Sequence, residues 1–241
     1  WTEESGTTLI NPDDGKSIGN AISDNGILAG EFLDPNVLFD NGWDKEGPKP
    51  ILSAGYYKDG AWTGLGILIE PVDDLSGSMA EGISTDGTKI GGSMYMADWC
   101  LQPTIWTNGV AQALEFQQMG QGARVQGLSG DGRVAAGWQA PYRTRMPVVW
   151  VDGKMIPITK DGIDVQGECY KVSPNGKYVA LVLTGYGAIY VVDADRLILI
   201  EDEEGNSFSA TAVSDDGIAV GYSGGMPWDP RIPYIFSEKL G

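Results

Sequence analysis

Five times along the chain the unit Ser-x-(Asp/Asn)-Gly returns. The copies are Ser23-Asp24-Asn25-Gly26, Ser84-Thr85-Asp86-Gly87, Ser129-Gly130-Asp131-Gly132, Ser173-Pro174-Asn175-Gly176 and Ser214-Asp215-Asp216-Gly217, with their glycines 61, 45, 44 and 41 residues apart. An apolar residue precedes each copy (Ile22, Ile83, Leu128, Val172, Val213), and an apolar run follows, as in Arg133-Val134-Ala135-Ala136-Gly137. Asp or Asn before Gly suits a tight hairpin whose last loop residue takes positive φ, with a Ser or Asp side chain bonding the turn backbone. Each copy therefore reads as strand, turn, strand.

A second unit follows each first one. It is clearest in Pro103-Thr104-Ile105-Trp106-Thr107-Asn108-Gly109 and Pro147-Val148-Val149-Trp150-Val151-Asp152-Gly153, and weaker in Tyr56 to Gly60, Ile189 to Asp193 and Pro233 to Phe236. Four strands, A to D, in about 40 to 45 residues are the signature of a β-propeller blade. The fifth unit stops after strand C, at Phe236 to Gly241, whereas Trp1 to Ile10 resembles the end of C, the turn and the D strand of Trp106 to Leu114. The expectation is an all-β, five-bladed β-propeller with four antiparallel strands per blade, closed by the N-terminal strand so that no edge stays open. It forms a single domain over 1–241, with 1–10 as the closing strand and blades at about 16–70, 78–118, 123–160, 165–202 and 207–240. A β-sandwich offers similarly spaced turns, but five copies of both hairpins in constant order favour the propeller.

At these residues the chain resembles a bacterial extracellular propeller repeat of the HAF type, in which a Ser-x-Asp-Gly hairpin precedes a Gly-ended strand and a Trp-bearing strand. The segment Val172-Ser173-Pro174-Asn175-Gly176-Lys177-Tyr178-Val179-Ala180 is also similar to the TolB-like propeller repeat. The resemblance implies an extracytoplasmic protein, whether secreted, periplasmic or on the cell surface. It implies no fixed catalytic residues.

Charge and composition exclude several functions. Sixteen basic against 33 acidic residues give a formal charge of −17, which repels phosphate backbones and anionic lipid. Nucleic acid is therefore not an expected partner. With no His in the sequence, imidazole acid–base catalysis, His-activated nucleophiles and His-ligated metals are all ruled out. The nearly apolar stretch Tyr178 to Val192 is broken by Thr184, Gly185 and Gly187, too short to span a bilayer, so this segment is not expected to enter a membrane. Cys100 and Cys169 fall in repeats that do not adjoin and make no disulfide framework. No EF-hand spacing occurs, and neither a metal nor a cofactor is implied.

Two sets of residues stand out as a candidate binding face. The B–C connections carry large rings: Phe39 and Trp43, Tyr95 and Trp99, Trp138 and Tyr142, Tyr186, and Tyr222 and Trp228. Three residues before each turn serine, the innermost strand holds Asn20, Glu81, Gln126, Tyr170 and Thr211, polar in all five copies, followed by a small residue in four and by Lys171 in the fourth. The candidate ligand-binding residues are thus Asn20, Glu81, Trp99, Gln126, Trp138, Tyr142, Tyr170, Lys171, Tyr186 and Trp228. Rings buried between blades and hydrated side chains around a water-filled channel are the structural alternatives. A glycosidase needs two carboxylates about 5 to 9 Å apart, and only Glu81 occupies the axial ring, with Glu168 one residue outside it. Two readings follow: a non-catalytic recognition module for a glycan or a partner protein, or a carbohydrate-active enzyme working through Glu81 and a second carboxylate.

Overall fold

The computed structural model describes residues 10, 16–40, 42, 45, 47–70, 77–96, 100–117, 120–200, 208–223 and 231–237. Among them, five antiparallel sheets succeed one another along the chain. The first comprises β1 (Ser17–Ile22), β2 (Leu28–Phe39), β3 (Lys49–Lys58) and β4 (Ala61–Gly64), and the second β5 (Ser78–Ile83), β6 (Lys89–Tyr95), β7 (Leu101–Thr107) and β8 (Val110–Ala113). The third holds β9 (Ala123–Leu128), β10 (Val134–Gln139), β11 (Met146–Val151) and β12 (Lys154–Pro157). A small hairpin, β13 (Thr159–Lys160) and β14 (Ile163–Asp164), leads to the fourth sheet of β15 (Gly167–Val172), β16 (Tyr178–Leu183), β17 (Tyr186–Val191) and β18 (Arg196–Ile200). The fifth has β19 (Phe208–Val213), β20 (Ala219–Ser223) and β21 (Ile232–Phe236). In every sheet, chain neighbours are hydrogen-bonded neighbours, which short turns make the simplest arrangement.

The core lies between sheets. Ile27, Ala29, Ala80, Ile90 and Trp106 pack between the first two, Leu114, Val125, Val148 and Trp150 between the second and third, and Val149, Val179, Leu181 and Tyr190 between the third and fourth. One register position of the third strand is aromatic throughout these interfaces, since Trp106, Trp150 and Tyr190 pair with Ile90, Ala135 and Val179. Both indoles pay their desolvation with a backbone partner on the preceding sheet: Trp106 Nε1 donates to Gly66 O at 2.6 Å and Trp150 Nε1 to Glu115 O at 2.8 Å.

The repeated turns explain their own sequence. In the second, the Ser84 hydroxyl donates to Asp86 Oδ1 at 2.7 Å and accepts from Lys89 N at 2.9 Å, while Gly87 N donates to Ser84 O at 2.9 Å. The first, third and fourth turns repeat this pattern through Ser23, Ser129 and Ser173. Each closing glycine has positive φ, from 64° at Gly132 to 79° at Gly26, which a Cβ would strain. The turns also join hands. Asp24 N donates to Thr85 O at 3.0 Å, Thr85 N to Gly130 O at 2.8 Å and Gly130 N to Pro174 O at 2.7 Å. Pro174 has no N–H to pass on, and Asn175 takes over, donating from its backbone to Asp215 Oδ1 at 2.7 Å and from Nδ2 to Asp215 O at 3.1 Å.

Each innermost strand carries one extra residue. Gly19 pairs with Gly30 and Ala21 with Ala29, leaving Asn20 bulged, and the same slip bulges Glu81, Gln126, Tyr170 and Thr211. In four sheets the facing strand answers with glycine, because a Cβ at Gly30, Gly92, Gly137 or Gly221 would collide with the carbonyl oxygen of Ile18, Met79, Arg124 or Ser209. The fourth sheet has Leu181 there instead.

The expected closed ring differs from what the described residues form, which is an open series. The fifth sheet has three strands among them, and of the closing strand expected over 1–10 all but residue 10 lies outside them. On the terminal sheets, Ile22 is 69% exposed and Ile235 68%, so the apolar surface buried at the four internal interfaces stays open at the ends.

Candidate functional site

The bulge is what builds the site. An extra strand residue is re-aimed out of the alternation that would bury or expose it with its neighbours, and at two of these positions, Asn20 and Glu81, the side chain meets the inner strand of the next sheet, whereas Thr211 bonds Val220 O within its own sheet. Asn20 Nδ2 donates to Ala80 O at 2.8 Å and lies 3.4 Å from Glu31 Oε1. Arg124 of the third sheet forks onto Glu81 of the second, Nε donating to Oε2 at 2.8 Å and Nη2 to Oε1. From the fourth sheet, Lys171 Nζ extends to Glu81 O at 3.4 Å and Gln126 O at 3.5 Å, at the long end of hydrogen bonding. Gln126 Oε1 is buried without a partner among the described residues. Four sheets thus contribute to one polar cluster.

Two of its members escaped the sequence reading. Glu31 comes from the second strand of the first sheet and is 8% exposed. Burial, then the charge of Glu81, pushes its carboxyl up to about 7, with Arg124 and the Asn20 amide pulling the other way. The expectation of a lone axial carboxylate is therefore corrected: Glu81 has Glu31 as its neighbour. Arg124 stands two residues before the Gln126 bulge, and a single basic residue in the otherwise apolar Ala123-x-Val125 start of an inner strand was the available signal. For Glu31 the corresponding signal was a lone acid between Gly30 and Phe32.

The rings fare unevenly. Trp138 is 3% exposed and lies beneath the guanidinium of Arg145, 4.7 Å from the ring centroid. Arg145 Nη1 in turn contacts both oxygens of Glu168 at 3.1 and 3.2 Å. Beside this stack, Arg145, Glu168, Gln166, Thr144 and Thr184 line a cavity of about 390 Å3. Arg231 covers Tyr222 in the same manner at 4.6 Å. Tyr142 is 73% and Tyr186 41% exposed. Half-buried Tyr170 has its phenol raised by burial and by the neighbouring charge of Glu168. Trp99 and Trp228 lie outside the described residues.

Both cysteines are free thiols, Cys169 buried and donating towards Val148 O at 3.6 Å. Among the described residues no group of three or more Cys, Asp and Glu is placed to hold a metal ion, and no helix is long and apolar enough to cross a membrane.

No family model and no curated protein sequence matches the chain. Solved structures do. A protein described as TolB from Agrobacterium tumefaciens superposes with a TM-score of 0.55 at 13% identity, over 93% of this chain and 78% of that one. TolB from Acinetobacter baumannii gives 0.54 at 13% identity, over 95% of this chain but only 53% of its own length. At such identity the likeness shows the fold alone: an all-β repeat protein of the TolB-like β-propeller type.

Proposed function

We propose that this chain is a non-catalytic, extracytoplasmic recognition module that binds a glycan or a partner protein at the end of the disc where the inner-strand bulges and the B–C connections gather. The observation that carries the reading is the bulge itself, present in all five inner strands and occupied every time by a polar residue. A packing role alone does not require polar side chains at five equivalent positions. The guanidinium groups stacked on Trp138 and Tyr222 add flat, pre-ordered, hydrogen-bonding surface beside them. The extracytoplasmic assignment rests on the repeat resemblance. A glycan array and a cross-linking screen with the purified chain, run beside Gln126→Ala and Arg145→Ala, test it: a ligand whose affinity falls about tenfold or more in these variants supports the reading, and a ligand indifferent to both overturns it.

The pairing of Glu31 with Glu81 favours a second reading, a carbohydrate-active enzyme. A carboxyl that keeps its proton near neutrality, next to a carboxylate fixed by Arg124, has the division of labour between acid and base that glycoside hydrolysis uses. Hydrolysis abolished by Glu31→Gln and by Glu81→Gln, with binding retained, would establish it.

We also infer that the five sheets close into a five-bladed, single-domain ring. The residue after each turn lies over the closing glycine of the next: Ile27 over Gly87, Lys89 over Gly132, Val134 over Gly176 and Tyr178 over Gly217. The fifth member, Ile218, is 38% exposed, and Gly26 has nothing within 4 Å of where its Cβ would stand. Each is the partner that the other lacks.

A further inference from the structure

On the opposite end of the disc, among the turns, a cleft of about 520 Å3 opens between the first and second sheets. Its floor is apolar, formed by Ile27, Leu65 and Ile90, and its rim carries Lys58, Asp86 and Asn108. The opening has a cause in the sequence. Between the second and third sheets two side chains bridge the same region. Lys89 arches over Gly132 with Nζ 3.3 Å from the carbonyls of Asp131 and Gly132, and Glu115 Oε1 accepts from Met155 N at 2.8 Å. The register fixes their counterparts one sheet earlier. Leu28 pairs with Ile22 and Tyr57 as Ile90 does with Ile83 and Trp106, so Ile27 stands where Lys89 stands. Trp106 bonds Gly66 O as Trp150 bonds Glu115 O, so Gly66 stands where Glu115 stands. Ile27 still covers Gly87 but has no amine to reach the carbonyls beyond it, and Gly66 has no side chain at all, so neither polar bridge spans the first interface and the cleft opens beside them.

The rim chemistry narrows the occupant. Asp86 remains a carboxylate, because Oδ1 accepts from Thr88 N at 2.9 Å and from the hydroxyls of Ser84 and Thr88 at 2.7 and 2.8 Å. An entering anion meets Asp86, and an entering cation meets Lys58. A neutral ligand bearing hydroxyls has no such opponent. Each hydroxyl both donates and accepts, and the rim supplies a pure donor in Lys58, a pure acceptor in Asp86 and both functions in the Asn108 amide. The aliphatic floor suits the C–H face of a ring, and the volume falls in the usual range of small-ligand sites. We propose that this cleft is a second binding site, for a neutral sugar of one or two rings. It shares no lining residue with the bulged polar cluster, so its occupancy does not depend on what that cluster binds.

The test is an NMR titration of the full chain with methyl β-glucoside, phenyl β-glucoside and N-acetylglucosamine, with benzoate and benzylamine as charged counter-probes. Saturable shifts of the Gly87, Thr88, Asn108 and Gly109 amides are expected with at least one sugar. Lys58→Met, a surface change that spares the fold, should weaken that binding about fivefold or more. Gly66→Glu, which restores the bridge of the next interface, should abolish it, and Gln126→Ala should leave it unchanged. Absence of saturable shifts with all three sugars, binding that survives both Lys58→Met and Gly66→Glu, or tighter binding of benzoate or benzylamine would overturn the assignment.

Discussion

The indole N–H of Trp62 donates to the carbonyl oxygen of Ile10 at 3.0 Å. Trp62 lies on β4, the outer strand of the first sheet, so the bond ties the chain at Ile10 to the outer edge of that sheet. Around it the first sheet holds an aromatic group, with Phe32 stacked on Trp62 at 5.3 Å and Tyr57 edge-on to it at 5.8 Å. Deleting residues 1–10 removes this partner, so the truncated chain should melt earlier and aggregate. Equal melting temperature and solubility by calorimetry and light scattering would refute closure through this segment.

Glu31 predicts a pH dependence of stability. Burial pushes its carboxyl up to about 7 in the folded chain from the ordinary 4.5, so folding disfavours the ionised form. The group's contribution is complete below about pH 4.5 and is lost as pH rises through about 7, some 2.5 pKa units or about 3 kcal/mol. Glu31→Gln should match the parent in urea denaturation at acid pH and exceed it in stability at about pH 8. A parent and variant whose stabilities run parallel across this range would contradict the assignment.

The turns separate a backbone requirement from a side-chain preference. Gly132 has φ of 64° with the Lys89 chain lying over it, and a β-branched residue resists that conformation. Asp131→Asn keeps an oxygen for the Ser129 hydroxyl and the Arg133 amide. Gly132→Val should cost about 2 kcal/mol or more and Asp131→Asn less than about 1. Chemical denaturation of the two variants measures the ordering, and a reversal would show that the turn is held by its carboxylate.

Trp138 and Tyr142 should part company. The buried indole supports Arg145 from below, so Trp138→Ala should cost about 3 to 5 kcal/mol of stability. Tyr142→Ala, at a position 73% exposed, should stay within about 0.5 kcal/mol. Equilibrium unfolding distinguishes them. A mild Trp138→Ala would mean that its ring is a surface platform after all.

Much of the architecture was legible because it repeats. The turn serines, the positive-φ glycines and the polar residue three places before each serine all register as periodicity, and the same position proved to be the bulge. The glycine within the second strand was legible as a motif but not as a cause, since the carbonyl it accommodates belongs to a different strand. Glu31, Arg124 and the Arg145 stack were not legible. Glu31 and Arg124 each occur once and the Arg145 stack recurs only as Arg231 on Tyr222, so none registers as a five-fold repeat, and their meaning depends on the partners that the fold brings to them. The placement of Trp138 went unread for a related reason: an aromatic residue at the end of a strand is equally consistent with a rim and with a lid, and the arginine seven residues later decides between them.

The hand-to-hand turns have a consequence for cooperativity. Each turn bonds only its successor, so order passes along the sheets as it does in a one-dimensional array with nearest-neighbour coupling. The backbone relay runs unbroken from Asp24 to Pro174 and then changes to a link that depends on two side chains, the Asp215 carboxylate and the Asn175 amide. Four sheets share one kind of coupling and the fifth is joined by another. The turn chain therefore has its one change of chemistry at the junction of the fourth and fifth sheets, where the amide relay gives way to side chains and coupling through the turns rests on Asn175 and Asp215.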